Sequence, residues 1–330
     1  MLKQPVQDTG LLPRSCRLCP RQCGADRRAG QRGQCGAGSE LKVARAALHL
    51  WEEPPLSGGA AVSGFGGSGA VFFSGCPLHC VYCQNALISQ DGFGAPVTPE
   101  RLSEIFLELQ EQGAYNINLV TPTHYASQLR VAIRRARERG LSLPVVCNTS
   151  GYERVATLAG LADDVDIYLS DFRYLEPDSA ARYSAAPDYP KVAWAALAEM
   201  MRQRGEWHED AQGHLRQGVI LRILLLPGHL AEAKAIVAKV FARYGNRLCY
   251  SLMNQYTPLP TLDGRRFPEL SRPVLESEYA ELVDFALDLG VKRSFMQEGG
   301  TVSESFVPAF DLSGVLAAAP LQAAGPGLGK

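Results

Sequence analysis

The stretch that decides the fold is Phe72-Phe-Ser-Gly-Cys-Pro-Leu-His-Cys-Val-Tyr-Cys-Gln-Asn85. It carries three cysteines in the spacing C-x3-C-x2-C, namely Cys76, Cys80 and Cys83. The apolar run Ala70–Phe73 leads into it and predicts a short buried strand, so the cysteines are expected in a loop at a strand end. Three thiolates this close can hold three corners of a 4Fe-4S cube, because soft thiolates suit iron–sulfur clusters. No fourth cysteine is nearby, so one iron would stay open to an outside ligand.

Two other interpretations of this stretch are a structural zinc loop and three unrelated buried thiols. Both are less favoured, because the three cysteines fall within eight residues directly after a predicted strand.

Composition limits the function classes. The chain has 330 residues, of which 46% are hydrophobic, enough for one large domain with an appendage. A net charge of −1 gives no electrostatic case for binding nucleic acid or an anionic membrane. Residues 1–13 lack the apolar core of a signal peptide, and no run of about 18 apolar residues predicts a membrane span. Nine cysteines clustered at metal-ligand spacings predict a reducing, cytoplasmic compartment and metal sites, not disulfides.

A second cysteine group lies in the N-terminal region, which we predict to be a Cys-rich metal module over residues 1–50. Its spacing is C-x2-C-x3-C-x11-C, formed by Cys16, Cys19, Cys23 and Cys35. Four thiolates fit a tetrahedral zinc ion and equally fit a complete iron–sulfur cluster, so both metals stay open. The arginines between these cysteines indicate a solvated basic face or, alternatively, a docking surface for an acidic electron donor.

Strand and helix patterns alternate after the cysteine motif and predict an α/β fold with a parallel sheet and outer helices. The expected strands are 70–73, 116–120, 143–148, 166–170, 219–226, 248–253 and 291–296. Six or so strands fall short of eight, so we expect an incomplete barrel over residues 51–312. The Ala- and Gly-rich residues 313–330 are predicted to be a flexible C-terminal tail.

Polar residues follow the predicted strands, and ligands of α/β sheets gather at the carboxyl ends of strands. We therefore expect the cofactor contacts at these strand ends, with one further candidate, an arginine inside the fifth apolar run that needs a carboxylate partner or faces the site. These candidates are Thr121, Thr123, Asn148, Ser150, Asp171, Arg173, Arg222 and Asn254.

The cysteine motif, with the aromatic Tyr82 before its third cysteine, resembles that of the radical S-adenosylmethionine (SAM) superfamily. The resemblance implies that the open iron binds the amino and carboxylate groups of SAM. One electron from the cluster then cleaves SAM to methionine and a 5′-deoxyadenosyl radical, which abstracts a hydrogen atom. It also implies a (β/α)6 radical SAM partial barrel, catalytic roles for Cys76, Cys80 and Cys83, a cofactor contact by Tyr82, and a one-electron donor such as flavodoxin or ferredoxin.

The resemblance narrows on four blocks, which are Cys16-Arg-Leu-Cys-Pro-Arg-Gln-Cys23, Phe72-Phe-Ser-Gly-Cys76, Tyr82-Cys-Gln-Asn85 and Asn118-Leu-Val-Thr-Pro-Thr-His124. Together they look like the uncharacterised radical SAM proteins described as similar to pyruvate formate-lyase activating enzyme, and the likeness covers most of residues 15–312. It implies an enzyme with an unassigned substrate, which includes the activase of a glycyl-radical enzyme.

Two segments depart from that pattern. Thr121-Pro-Thr-His124 stands where a Gly-Gly-Glu-like turn usually contacts the SAM amino group, and Arg173 replaces the lysine of an Asp-x-Lys segment. The alternative function is a non-catalytic iron–sulfur or zinc protein that serves as an electron carrier or assembly partner. Such a carrier needs no SAM pocket, so SAM cleavage separates the two hypotheses.

Overall fold

A twisted parallel sheet carries the fold. The computed structural model describes residues 12, 14–58, 66–297 and 308–316. Within these residues the strands are β1 Leu41–His49, β2 Gly67–Phe73, β3 Ala95–Val97, β4 Ala114–Val120, β5 Val145–Thr149, β6 Ile167–Asp171, β7 His208–Glu209, β8 Leu215–Leu224, β9 Cys249–Met253 and β10 Ser294–Met296. Their order is β10-β9-β8-β6-β5-β4-β2-β1-β3, and β7 pairs with β8 as a short hairpin.

Seven of these strands run parallel to one another, namely β2, β4, β5, β6, β8, β9 and β10. β1 and β3 pair antiparallel at one edge, so the sheet stays open between β3 and β10. The predicted α/β class and the incomplete barrel are confirmed. All seven predicted apolar runs overlap strands of the parallel set.

Helices connect the parallel strands. Their bounds are α1 Pro54–Ser57, α2 Ala86–Ser89, α3 Pro99–Glu111, α4 Ala126–Glu138, α5 Val155–Gly160, α6 Pro177–Ser184, α7 Tyr189–Arg204, α8 Leu230–Tyr244 and α9 Glu276–Asp288, with 3₁₀ turns at Thr123–Tyr125, Gly245–Arg247 and Pro268–Ser271. At the start of α3, Thr98 accepts a hydrogen bond from the Arg101 amide, as its N-cap position predicts. No helix in the described ranges is long and apolar enough to cross a membrane.

The two faces of the sheet bury different partners. In β5, Val145 packs with the α3–α4 side of the core, whereas its neighbour Val146 faces the concave side. On that concave side Leu56 of α1 packs against Ile167, Ile220 and other strand residues and is fully buried. The short segment after β1 therefore plugs the inside of the partial barrel.

The structure places two chain segments differently from the predicted domain bounds. Residues 41–49, which we assigned to the Cys-rich module, form β1 and pair with β2 inside the sheet. Residues 313–316, which we assigned to the flexible tail, are held against β1: the Ala46 amide donates to the Ser313 carbonyl at 2.8 Å, and Val315 is buried. The rest of the predicted tail, residues 317–330, lies outside the described residues.

Candidate functional site

The cluster loop, residues 74–85, leaves the carboxyl end of β2 and leads into α2. All three of its cysteines, Cys76, Cys80 and Cys83, line a cavity of about 370 Å³ at the carboxyl ends of the parallel strands. That volume is within the usual range of small-molecule sites. The second residue of the loop, Gly75, has φ +86°, and a Cβ there would collide with the carbonyl oxygen of Cys35. Only glycine fits this close approach.

Each sulfur of the loop has a hydrogen-bond partner. The Leu78 amide donates to the Cys76 sulfur at 3.4 Å, and the Ser184 hydroxyl donates to the Cys80 sulfur at 3.1 Å. The Cys83 sulfur lies 3.3 Å from the Ser89 hydroxyl oxygen. Donors aimed at sulfur stabilise the thiolate form, which is the form that binds metal.

The three sulfurs would repel one another if all were ionised. Burial raises the pKa of Cys76 to about 12, and the neighbouring Cys80 and Cys83 contribute to that rise. Burial and Cys80 likewise raise the pKa of Cys83. Thiols whose pKa is raised in this way, as those of Cys76 and Cys83 are, ionise only when a cationic centre compensates their charge, and the iron core of a cluster is such a centre.

The donor set therefore fits a 4Fe-4S cluster. Among the described residues, no three His, Cys, Asp or Glu side chains are placed to share a single metal ion. A 4Fe-4S cluster does not need three side chains around one metal ion, because each thiolate binds a different iron of the cube.

Polar side chains from four strand ends face the same cavity. Of the predicted contacts, six besides the cysteines and Tyr82 line it: Thr121, Asn148, Ser150, Asp171, Arg173 and Arg222. Two do not line it. Thr123 is buried and donates a hydrogen bond from its hydroxyl to the Glu153 carboxyl. The main-chain amide of Asn254 donates to the side-chain oxygen of Gln297 at 3.0 Å.

An aromatic and ionic group lies next to the cluster loop. The Arg173 guanidinium donates to Asp171 at 2.5 Å and stands 6.0 Å from the centre of the Tyr82 ring. The hydroxyls of Tyr82 and Tyr174 lie 2.6 Å apart. Burial alone would lower the pKa of Arg173, but Asp171, followed by Cys80, Tyr82 and Tyr174, raises it well above its ordinary value, so this guanidinium stays charged. It can bind a carboxylate in the cavity.

Arg222 has the carboxylate partners that its position in an apolar strand requires. It binds Glu53 through two hydrogen bonds, of 2.8 and 2.7 Å, and also contacts the Glu52 carboxylate. Asn118 donates to Glu52 at 2.9 Å. Burial raises the pKa of Glu53, yet the Arg222 charge outweighs it and the net shift is downward. The floor of the cavity is thus a buried ionic network.

Sequence reasoning missed several lining residues at the end of β1 and directly after it, namely His49, Trp51, Glu52 and Glu53. The arginine inside an apolar strand, Arg222, was the one signal that a carboxylate had to come from elsewhere. Nothing local marked which of the 34 acidic residues would supply it.

Comparisons with known proteins agree with this geometry. Residues 62–174 match the family model described as a 4Fe-4S single cluster domain, which spans the three cysteines and the ends of β4, β5 and β6. An uncharacterized protein of Methanocaldococcus jannaschii is 25% identical over 283 residues, which cover 83% of this chain and 74% of that protein.

Two solved structures also match. Methylornithine synthase (PylB) has a TM-score of 0.40 at 14% identity, with 66% of this chain and 67% of that chain covered. The FeFe-hydrogenase maturase HydG from Carboxydothermus hydrogenoformans has a TM-score of 0.42 at 13% identity, with 66% and 55% covered. The cluster-domain match and the three cysteines at the mouth of a parallel partial barrel support a 4Fe-4S site. The resemblance to the radical SAM superfamily stays a prediction.

The turn after β4 is where this chain departs from the usual radical SAM pattern. Thr121 has φ +57°, a left-handed conformation that glycine adopts freely and a β-branched residue adopts only under strain. The turn thus keeps the backbone shape of a glycine position without the glycine. Its amide donates to the Asn148 carbonyl at 2.8 Å, which ties the turn to β5 at the cavity.

His124 and Glu153 lie behind the turn after β4 and are not among the cavity-lining residues. Burial lowers the pKa of His124 to about 4, so its ring is neutral, and one ring nitrogen contacts the Ser74 carbonyl oxygen at 2.9 Å. Burial raises the pKa of Glu153 to about 8. Both side chains belong to the packing between the turn and its surroundings.

The N-terminal cysteine group meets the cluster loop at Cys35, whose carbonyl accepts a hydrogen bond from the Cys76 amide. Cys16, Cys19 and Cys35 are buried and Cys23 is half-buried, and all four are free thiols. Burial raises the pKa of Cys35, and the charges of Cys16 and Cys23 add to it, so these thiols are electrostatic neighbours. Burial likewise raises the pKa of Cys19 to about 12, with contributions from Cys35 and Cys16. Cys35 thus lies within electrostatic range of Cys16, Cys19 and Cys23, and a shared metal site at these four thiols stays a prediction.

Proposed function

We propose that this protein is a radical SAM enzyme that cleaves SAM reductively and abstracts a hydrogen atom from a substrate. The observation that supports it best is the shared cavity. Cys76, Cys80 and Cys83 line one side, and the strand-end groups of β4, β5, β6 and β8 line the other. A cluster held there would supply the electron that breaks the sulfonium carbon–sulfur bond.

The chain's own residues would hold SAM and keep water out. In this proposal Arg173, oriented by Asp171, binds the methionine carboxylate, because a guanidinium can bind a carboxylate with two parallel hydrogen bonds. Asn148, Ser150 and the main chain at Thr121 offer hydrogen bonds to the ribose and the amino group. The ionic network of Arg222, Glu52 and Glu53 closes the cavity floor.

The substrate class is the open part of the proposal. An activase that takes hydrogen from a protein glycine is supported by the segment Asp171-Phe-Arg173, which resembles the Asp-x-Lys of such enzymes. The replacement of lysine by arginine, and of the Gly-Gly-Glu-like turn by Thr121–His124, equally suits an enzyme that acts on a small molecule or peptide. The physiological reductant in this proposal is a flavodoxin or ferredoxin.

The test is anaerobic reconstitution followed by reduction and measurement of 5′-deoxyadenosine. We expect the wild-type protein to cleave SAM and Cys80→Ala to lose cleavage completely, because three thiolates hold the cube. Cys147→Ala is the matched control, since Cys147 is buried in the core outside the cavity lining. Wild-type protein that carries the cluster but never cleaves SAM would favour the electron carrier instead.

A further inference from the structure

The four-cysteine module, residues 14–40, contacts the cluster loop through main-chain carbonyl groups of the module. The Cys76 amide donates to the Cys35 carbonyl at 3.1 Å, so a predicted ligand of one site is hydrogen-bonded to a predicted ligand of the other. The His79 ring lies 2.7 Å from the Gln34 carbonyl oxygen. These contacts place the two cysteine groups side by side in space.

The module is also built around its sulfurs. Gly33 lies between two of them, and a Cβ there would stand 3.3 Å from the Cys35 sulfur and 3.4 Å from the Cys23 sulfur. The buried Arg27 donates to the Cys35 sulfur at 3.2 Å and to the His124 carbonyl at 2.7 Å. A buried guanidinium on a cysteine sulfur stabilises negative charge at that site.

The surface of the module is strongly basic. Residues 14–40 contain six arginines against Asp26 and Glu40, a net charge of +4, while the whole chain has −1. Two of the six, Arg21 and Arg27, are at least partly buried, and the other four are exposed, namely Arg14, Arg17, Arg28 and Arg32. Cys23 is the least buried of the four cysteines, so it lies on the solvent side of the group.

We infer that the four-cysteine module is an iron–sulfur relay whose arginine surface docks an acidic one-electron donor protein. This inference rests on the proposed function of the three-cysteine site. Four thiolates leave no iron open to SAM, so the module accepts and passes electrons but does no SAM chemistry. In this inference the electron enters the four-cysteine site near Cys23, which is nearer the solvent. It leaves the site near Cys35, which contacts Cys76.

The electron balance is simple. The reduced donor loses one electron, which passes through the four-cysteine site to the three-cysteine site and then to SAM. There the C5′–S bond of SAM breaks, and methionine and a 5′-deoxyadenosyl radical are formed. No proton or further reactant is needed before hydrogen abstraction. A zinc ion in the module could not take part, because zinc has no redox chemistry.

The first test is metal content. We expect about eight irons per wild-type chain and about four in the Cys76→Ala/Cys80→Ala/Cys83→Ala variant, with an iron–sulfur electron paramagnetic resonance signal remaining after reduction. About four irons and one zinc in the wild-type chain would overturn the relay. The wild-type count decides even if the triple variant does not fold.

The second test is donor docking, with reduced flavodoxin as the acidic probe and dithionite as the small reductant. We expect Arg14→Gln/Arg17→Gln/Arg32→Gln to lower the flavodoxin association rate about tenfold or more at low salt, because opposite charge steers encounter. The difference in association rate between the wild-type protein and this variant should disappear at high salt, where such charges are screened. SAM cleavage driven by dithionite should be unchanged.

The matched control removes three arginines elsewhere that are at least partly exposed, Arg216→Gln/Arg243→Gln/Arg265→Gln, with the same change in net charge. If both triple variants slow flavodoxin equally, the docking surface is not the module and the inference fails. If dithionite does not drive SAM cleavage in the wild-type protein, the proposed function fails instead, so the two failures are distinguishable.

Discussion

At the scale of single residues, Arg222 is the centre of a buried ionic network. One guanidinium serves two carboxylates, Glu52 and Glu53, whose side chains are 7% and 5% exposed. The network holds the segment after β1 across the concave face of the sheet, above the Leu56 plug. A buried ion pair need not add net stability, but losing one partner leaves uncompensated charge.

We expect Arg222→Met to lower the free energy of unfolding by about 3–5 kcal/mol at neutral pH, measured by denaturant titration. Arg216→Met is the control on the same strand, and because Arg216 is exposed it should change stability by less than about 0.5 kcal/mol. Arg222 lowers the pKa of Glu53 in the folded protein, so the stabilisation is present above the unfolded pKa and disappears as the pH falls through the folded pKa. The difference between wild type and variant should therefore shrink in acid, and a constant difference would contradict the pairing.

Glu153 should make stability depend on pH in the opposite direction. Burial raises its pKa from 4.5 to about 8, so in the folded chain it is protonated at neutral pH while the unfolded chain has released the proton. Stability is full below about pH 4.5 and is lost as the pH rises towards 8. We expect Glu153→Gln to remove that decline and to be more stable than wild type at pH 8, by on the order of a few kcal/mol.

The measurement for Glu153 is a series of unfolding curves between pH 5 and pH 9. Glu138→Gln, at an exposed helix position, is the control and should leave the wild-type pH dependence as it is. A Glu153→Gln variant that loses stability with pH as steeply as wild type would show that this carboxyl is ionised in the fold.

At the scale of elements, the cluster loop depends on its first glycine. Gly75 has a left-handed φ and faces the Cys35 carbonyl, so Gly75→Ala meets both backbone strain and a collision. We expect lower iron content after reconstitution and a loss of about 1–3 kcal/mol of stability. Gly92→Ala separates the two causes, because Gly92 has φ +69° and no atom of the described residues lies within 4 Å of the position its Cβ would take. Equal iron loss in both variants would show that contact with the module does not shape the loop.

The antiparallel strand β1 shows where local sequence was a poor guide. Its sequence Leu41-Lys-Val-Ala-Arg-Ala-Ala-Leu-His49 has three alanines, and alanine favours helix over strand. Pairing with β2 on one side and β3 on the other makes it a strand. Nothing within the segment announces those partners, so its place in the sheet was missed.

At the scale of the whole molecule, Arg21 links the N-terminal module to the partial barrel. Its guanidinium donates to the carbonyls of Pro77 at 2.9 Å and Ala185 at 2.6 Å, and also to Leu78 and Ser184, and it lies 5.2 Å from the centre of the Tyr152 ring. One side chain thus spans the module, the cluster loop and the end of α6.

We expect Arg21→Met to lower stability by about 1–3 kcal/mol, because several carbonyls lose their charged donor. Iron content of the three-cysteine site should fall as well, although Arg21 is not a ligand. Arg14→Met, in the same module but exposed, should change neither quantity by much. Normal iron loading in Arg21→Met would mean that the module does not support the cluster loop.

The sequence alone determined the fold class, the seven parallel strands and the two cysteine groups. Each of these is encoded locally, by apolar runs of strand length and by ligand spacing within a short stretch. The strand-end candidates Thr121, Asn148, Ser150, Asp171 and Arg173 follow from a topological rule that needs only the strand order.

Only the tertiary structure decided which carboxylates pair with Arg222, that Thr123 and Asn254 do not line the cavity, and that the Cys35 carbonyl meets the Cys76 amide. Two of these contacts join residues far apart in the chain, 41 positions for Cys35 and Cys76 and 170 positions for Arg222 and Glu52. Spacing and periodicity report on neighbours along the chain, whereas such pairs form only when packing has fixed the path of the backbone.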